Sequence, residues 1–182
     1  MFAMAARAQD LPAPARPTVA IICGIGHELT EMHIGTTAFT NDQHKVSIED
    51  WKLDDFTIRQ AGEILGNEFT IVSVPYNWHD FDTHGGGLFG DDGSAEVPGR
   101  VRAMAPANGP DYYVVISHTS DLEALFDTNQ HFDGVGVVRR TIFGLHKAGV
   151  FAYFAITAVD GHTFENLGTR YAVAPNRDER RR

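Results

Sequence analysis

The alternation of apolar and polar residues divides the chain into short strand-like runs and one clear helix. A continuous apolar run at 18–26 is bounded by proline and glycine, which is typical of a strand buried on both faces. The runs at 29–39 and 44–48 flank a polar turn and predict a hairpin. Further strands are expected at 69–74 and 111–118, where β-branched and aromatic residues dominate.

The long helix is predicted at about 50–65. Asp50 is the expected N-cap, and Gly66 followed by Asn67 supplies the stop. A shorter helix is expected around 96–105. Apolar residues of the long helix recur at spacings of three and four, which places most of them on one stripe: Trp51, Leu53, Phe56, Ile58, Ala61, Ile64 and Leu65.

The last third of the chain, 134–173, predicts three consecutive strands that form an antiparallel meander. Together these elements predict an α/β (α+β) fold with a mixed, largely antiparallel sheet and helices on one or both faces. We expect a single domain at 18–174. It lies between a flexible leader or signal remnant at 1–17 and a disordered tail at 175–182.

Composition narrows the range of partners. The chain has 182 residues, 43% of them hydrophobic, which suffices for one domain with a core. Its net charge of −9 argues against nucleic acid as a partner, and no apolar stretch reaches the roughly 20 residues of a membrane-spanning helix. The single cysteine, Cys23, excludes an internal disulfide and is expected to be an inert core residue.

The first residues have the features of the end of a secretory signal. Ala6-Arg7-Ala8 fits a small-x-small cleavage site, and a proline-rich linker follows at 12–17. We therefore expect a periplasmic or secreted protein, or a cytoplasmic one if the leader is not a signal remnant.

Two polar segments are candidates for chemistry. His79, Asp80, Asp82 and His84 offer mixed nitrogen and oxygen ligands for zinc, manganese or iron, although their spacing matches no standard metal motif. A polar loop with turn-capping aspartates is the simpler interpretation, and no cofactor is then expected. The turn at 24–27 ends a strand and could bind a small ligand, but it lacks the third glycine of a dinucleotide fingerprint.

Two further motifs lack the geometry that catalysis needs. His27 and His33 are six residues apart, whereas the metalloprotease motif requires two histidines four apart on a helix. Ser117-His118 stands at a strand end without the glycine-flanked elbow of a nucleophilic serine.

Aromatic and large apolar residues crowd two loops, at 76–90 and 126–132. Such residues pin a loop when they are buried and bind partners when they are exposed. The interface predicted from them comprises Tyr76, Trp78, Phe81, Leu88, Phe89, Phe126 and Phe132.

The element order resembles one group of periplasmic domains. The residues that carry the resemblance are Val19–Gly26, the helix from Asp50, the strand at 111–116 and the closing turn at 159–163. The group comprises cell-envelope assembly domains related to the curli-secretion lipoprotein and to the N-terminal domain of the Tol-system beta-propeller protein. The chain has no lipobox cysteine, so the resemblance does not extend to lipid anchoring.

The resemblance implies a non-enzymatic envelope protein that binds another protein. Our leading hypothesis is therefore an exported protein-binding or envelope-assembly accessory domain that acts through the aromatic loops. The alternative is a metal-dependent hydrolase that uses the segment from His79 to His84.

Overall fold

The computed structural model describes residues 15–37, 40–82, 94–119, 132–142 and 145–173. Short 3-10 turns lie at Glu49–Trp51, Trp78–Asp80 and Ser94–Glu96. The first and the last of these turns each precede an α-helix. The strands and helices follow in the order β1 (Thr18–Gly24), β2 (Glu28–Ile34), β3 (Asp42–Ser47), α1 (Leu53–Leu65), β4 (Thr70–Val72), α2 (Val97–Met104), β5 (Tyr112–His118), β6 (Val135–Ile142), β7 (Leu145–Asp160) and β8 (Asn166–Val173).

The strand β7 joins two half-sheets because it is 16 residues long. Its second half pairs with β5 and β8, which gives a proximal half-sheet in the order β8-β7-β5-β1-β4. Its first half pairs with β6, which gives a distal half-sheet in the order β7-β6-β2-β3. The pairs β1–β4, β1–β5 and β2–β6 are parallel, and the other described pairs are antiparallel.

The two half-sheets meet at Tyr153. Its N–H donates to the Gly134 carbonyl at 2.8 Å, and its carbonyl accepts from the Thr119 N–H at 3.3 Å. A strand residue directs its N–H and its C=O to the same edge. The strands β5 and β6 therefore lie in line along one edge of β7.

The proximal half-sheet carries one helix on each face. Alternate residues of β1 point to opposite faces, and both sets are buried because a helix packs on each face. Ile21 and Cys23 belong to the cluster against which α1 packs through Ile58, Ala61 and Leu65. Ala20 and Ile22 share the other cluster with Val97 and Val101 of α2.

Among the described residues, the distal half-sheet has a core on one face only. Met32, Ile34, Val138 and Phe151 pack there with Phe132. On the opposite face Val150 is 75% exposed, and Ile156 continues the same face of β7 at 38% exposure.

These observations confirm the predicted α+β class, the mixed sheet, the long helix and the closing meander β6-β7-β8. The start of the helix was predicted wrongly. Asp50 lies in the preceding 3-10 turn and makes no cap, because Lys52 adopts a left-handed φ of 52° and α1 begins at Leu53. In the described residues no helix has the length and apolar character that crossing a membrane would require.

Candidate functional site

The carboxyl end of β1 meets the segment 74–82 and the start of α1. Tyr76 joins the first two through its hydroxyl, which donates to the Cys23 carbonyl at 3.1 Å and accepts from the Cys23 N–H at 3.3 Å. Burial, followed by the charge of Asp54, raises the pKa of the Cys23 thiol far above its ordinary value. Cys23 is therefore an unreactive core residue, as expected from the sequence.

The backbone of the same segment rests directly on β1. A Cβ atom on Gly24 would lie 2.9 Å from the carbonyl carbon and oxygen of Phe81, so a side chain at this position would displace the segment. The Phe81 ring is fully buried in the core on the α2 face. Glycine is thus required at the position where the sequence pattern indicated a tight turn.

Three rings stack at the edge of this junction. The His27 and His79 imidazoles have centroids 3.4 and 3.5 Å from the Trp78 indole, with interplanar angles of 6° and 26°. Two rings at such distances would overlap on one face, so the indole lies between them. Trp78 is half-buried, with an imidazole stacked on each side.

Asp54 of α1 fixes the turn that follows β1. Its Oδ1 accepts the Ile25 N–H at 3.0 Å, and its Oδ2 lies 3.0 Å from His27 Nε2. The carboxylate is only 15% exposed and stands in the first turn of the helix, where negative charge is favoured. The position of His27 is therefore set by α1.

His118 lies deeper, at the end of β5, with a side chain 5% exposed. Its Nδ1 is 3.0 Å from Asp82 Oδ1, and its Nε2 is 2.9 Å from the Ile25 carbonyl oxygen. Burial lowers the pKa of His118, but the hydrogen bond and charge of Asp82 outweigh burial and the net pKa is raised. The ring links β5, the β1–β2 turn and the segment 74–82.

A cavity of about 330 Å³ opens beside the stacked rings. Its charged residues are Glu49, Asp54 and Asp55 against the single cation Lys52, so its rim is acidic. Its remaining lining residues are Gly26, His27, Leu53, Tyr76 and Trp78.

The structure divides the predicted interface residues into three groups. Tyr76 and Trp78 are half-buried and line the cavity. Phe81 and Phe132 are 0% exposed, so they cannot contact a partner at the surface. They belong instead to the two hydrophobic cores. Leu88, Phe89 and Phe126 lie outside the described residues.

The three predicted metal ligands that lie in the described residues do not converge on one point. His79 stacks on Trp78, Asp82 faces His118, and Asp80 is exposed with its carbonyl accepting from Arg100. His84 lies outside the described residues. Within the described ranges no three histidine, cysteine, aspartate or glutamate side chains are placed to hold a metal ion.

Most of these residues were named from the sequence, but their contacts with one another were not predicted. His27, His33 and His118 were considered only within local motifs, and Asp54 was not singled out. A carboxylate in the first turn of a helix that follows a β-hairpin was the available signal, but its partners are 29 and 27 residues away in the chain.

Comparison with known proteins gives little. No protein-family model and no curated protein matches the chain. Among solved structures it is similar to the LpoB C-terminal domain from Salmonella enterica, with 10% identity and a TM-score of 0.32. The match covers 91% of this chain and 87% of that one. A TM-score of this size does not establish a shared fold.

Proposed function

We propose that this domain is a non-enzymatic, exported accessory protein of the cell envelope and that it binds a protein partner at the surface around Trp78. We call this surface the Trp78 surface: Tyr76, Trp78, Trp51 and the acidic rim of the cavity, which is formed by Glu49, Asp54 and Asp55. The element order and its resemblance to envelope-assembly domains support the function class.

One observation carries the choice of surface. Trp51 is 66% exposed and stands next in the chain to Lys52, a lining residue of the cavity that also presents Tyr76 and Trp78. Tryptophan and tyrosine are enriched among the residues that dominate binding energy at interfaces. Two of these three rings are held by contacts to β1 and its turn, so little side-chain freedom would be lost on binding.

Charge indicates the chemistry of the partner. The rim carries Glu49, Asp54 and Asp55 against Lys52, and the whole chain carries −9. The positive end of the α1 dipole offsets only about half a charge of this excess. A partner with lysine or arginine around an apolar centre fits this surface by charge complementarity.

The test places a photoreactive benzoyl-phenylalanine at Trp51 in the cells that encode the protein. We expect one discrete adduct, identified by mass spectrometry, and then direct binding between the two purified proteins. Trp51→Ala should weaken that binding about tenfold, since truncating a central interface residue costs more than about 1 kcal/mol.

Ile64→Ala is the matched control for this test. Ile64 is 75% exposed near the end of α1, the helix that follows Trp51, so its removal should change the affinity less than about twofold. Equal affinities of the wild type and Trp51→Ala would refute the proposed surface. The absence of any adduct other than the chain itself would refute the binding function.

Export is tested separately. If the leader is a signal remnant cleaved after Ala6-Arg7-Ala8, the exported protein should begin at Gln9. N-terminal sequencing of protein from the periplasmic and cytoplasmic fractions checks this, and a protein found only in the cytoplasm contradicts it.

A further inference from the structure

The face of the distal half-sheet opposite its core is exposed. Both helices pack on the proximal half-sheet, and Met32, Ile34, Val138 and Phe151 point to the core face of the distal one. Their neighbours along each strand point to the other face, because side chains alternate along a strand. We call it the open face and define it by six residues: Glu31, His33, Asp42, Val137, Arg139 and Val150.

The charges on the open face are separated by strand. The strands β2 and β3 carry the carboxylates of Glu31 and Asp42, whereas β6 carries the guanidinium of Arg139. His33 lies between the two signs, opposite Asp42 on one side and opposite Arg139 on the other. The acidic half of the face and its basic half are therefore adjacent, and the strands β2 and β6 form their boundary.

Two of these charges have no partner within the chain. The side chains of Glu31 and Arg139 are exposed, and neither makes an ion pair or a side-chain hydrogen bond in the described part of the chain. Asp42, by contrast, is paired with His44 at 2.7 Å. Glu31 and Arg139 both line a cavity of about 190 Å³, which leaves room for a side chain from another molecule.

The remainder of the open face is apolar. Val137 lies opposite Val150 in the β6–β7 register, and Val150 is 75% exposed. Val46 of β3 lies on the same face and is 42% exposed. Apolar side chains with charges at their edge are the composition of a protein interface, in which the apolar part becomes dry and the charges set the orientation.

We propose that the open face binds the open face of a second copy of this chain and forms a symmetric dimer. A twofold axis that runs parallel to β2 and β6, and between them, exchanges these two strands. It places the strand with Glu31 over the strand with Arg139 of the second copy, and the reverse pair forms at the same time. Sheets that pack face to face keep their strands within about 30° of each other, which this axis satisfies.

Charge complementarity selects a second copy as the occupant. A twofold interface uses the same patch on both subunits, so the patch must be complementary to itself. The open face meets this condition because its unpaired acid and its unpaired base lie on the two parallel strands that the axis exchanges. A purely basic partner would leave Arg139 without a counter-charge, and a purely acidic one would leave Glu31 without one.

The dimer is tested by sedimentation velocity of the full chain at physiological ionic strength. The open face is only four strands wide, which is small for a stable interface. The monomer–dimer transition is therefore expected between about 5 and 500 µM. A chain that stays monomeric over this whole range would overturn the proposal.

Reversed charges identify the face. Glu31→Arg and Arg139→Glu each create two like-charge contacts across the axis, so each should weaken association at least about tenfold. An equimolar mixture of the two variants should associate again, since each reversed charge then meets its opposite. The double variant, Glu31→Arg with Arg139→Glu, should dimerise like the wild type. Single variants that associate like the wild type, or a mixture that stays monomeric, would contradict the arrangement.

Two further variants separate contact from net charge and from folding. Glu68→Arg changes an exposed carboxylate and alters the net charge as much as Glu31→Arg does, so it should change association less than about twofold. Val46→Asp adds a charge to the apolar part of the face, on a strand whose six residues are all exposed, and should weaken association at least about tenfold. It replaces a reversal that does not fold, and an unchanged affinity of Val46→Asp would refute the proposed face.

The dimer does not rest on the proposed function, because neither Glu31 nor Arg139 belongs to the Trp78 surface. If association is lost in the reversed-charge variants and restored in their mixture, the dimer stands whether or not Trp51 yields a partner. If the chain is monomeric but Trp51 yields a partner, the dimer is refuted and the binding function stands.

Discussion

The two ends of β5 fasten it to β1 in opposite ways. At the carboxyl end, the buried ring of His118 contacts the β1–β2 turn through the Ile25 carbonyl. At the amino end, the Asp111 carboxylate accepts from the Thr18 N–H at 2.7 Å and from the Thr18 hydroxyl at 2.8 Å. His162 approaches the same carboxylate at 3.2 Å, but its side chain is 70% exposed.

Both ends are held by hydrogen bonds to a carboxylate, but the two carboxylates differ in burial. Asp111 receives several donors in contact with water, so losing one leaves a group that water can solvate. The carboxylate of Asp82 is shielded, so water cannot readily replace the hydrogen bond from His118 if that bond is lost. The carboxyl end should therefore respond far more strongly to substitution.

The largest effect is expected from His118→Leu. The variant removes the contacts of the imidazole with Asp82 and with the Ile25 carbonyl, and removing one member of a buried pair costs about 3–5 kcal/mol. His162→Leu is the matched control, since it also removes a histidine–aspartate contact but at the surface, where changes stay within about 0.5 kcal/mol. Urea unfolding of both variants measures the difference. Similar losses in the free energy of unfolding would contradict the proposed contrast between the two ends.

A smaller effect is expected from Gly24→Ala at the end of β1. The new methyl group would meet the Phe81 carbonyl at 2.9 Å, and overpacking of this kind costs about 1–3 kcal/mol. Gly99→Ala in α2 has nothing within 4 Å of the added atom and should instead stabilise by up to about 1 kcal/mol, because alanine favours helix. Thermal unfolding should therefore shift in opposite directions for the two variants.

The two ends should also differ in their response to pH. The backbone and side-chain donors of Thr18, then His162, lower the pKa of Asp111 below 3.8, and the N–H groups of Thr163 and His162 lower that of Asp160. A lowered folded-state pKa gives stability that is present above the ordinary value and is lost as the pH falls through the folded value.

Falling pH should therefore weaken the amino end of β5. Rising pH should weaken the carboxyl end, because the pKa of His118 is raised and its stabilising contribution is lost as the pH rises through the folded value. Amide exchange followed over both pH ranges checks this, with Gly161, whose N–H donates to the Asp111 carbonyl, reporting on the amino end and Asp82 on the carboxyl end. Asp111→Asn should reduce the acid response near Gly161, where Asp160 still contributes, and leave the alkaline response of Asp82 unchanged. Loss of both responses together would contradict independent ends.

Local patterns were enough to predict most elements. The apolar run of β1, the hairpin β2–β3 and the closing meander follow from side-chain periodicity, which is a property of neighbouring residues. The start of α1 was missed because Asp50 fits the N-cap preference, while the left-handed backbone at Lys52 moved the helix start by three residues. Local preferences do not determine which of two adjacent turns continues as a helix.

The candidate site depended on contacts between distant residues. Aromatic crowding predicted an interface that includes Tyr76 and Trp78, which the structure places beside a surface cavity. It could not separate them from Phe81 and Phe132, which are buried. Burial is set by what packs on a ring from elsewhere in the chain. The same holds for Asp82, whose partner His118 is 36 residues away.

The amino-acid sequence by itself determined the class of fold, the order of most strands along the chain and the inert character of Cys23, because periodicity and composition act over short distances. Tertiary structure alone decided that β7 joins two half-sheets, that Trp78 lies between two imidazoles and that His118 faces two acceptors. Those features arise where segments far apart in the chain are brought together, and the free energy of such contacts depends on burial, which no single segment carries.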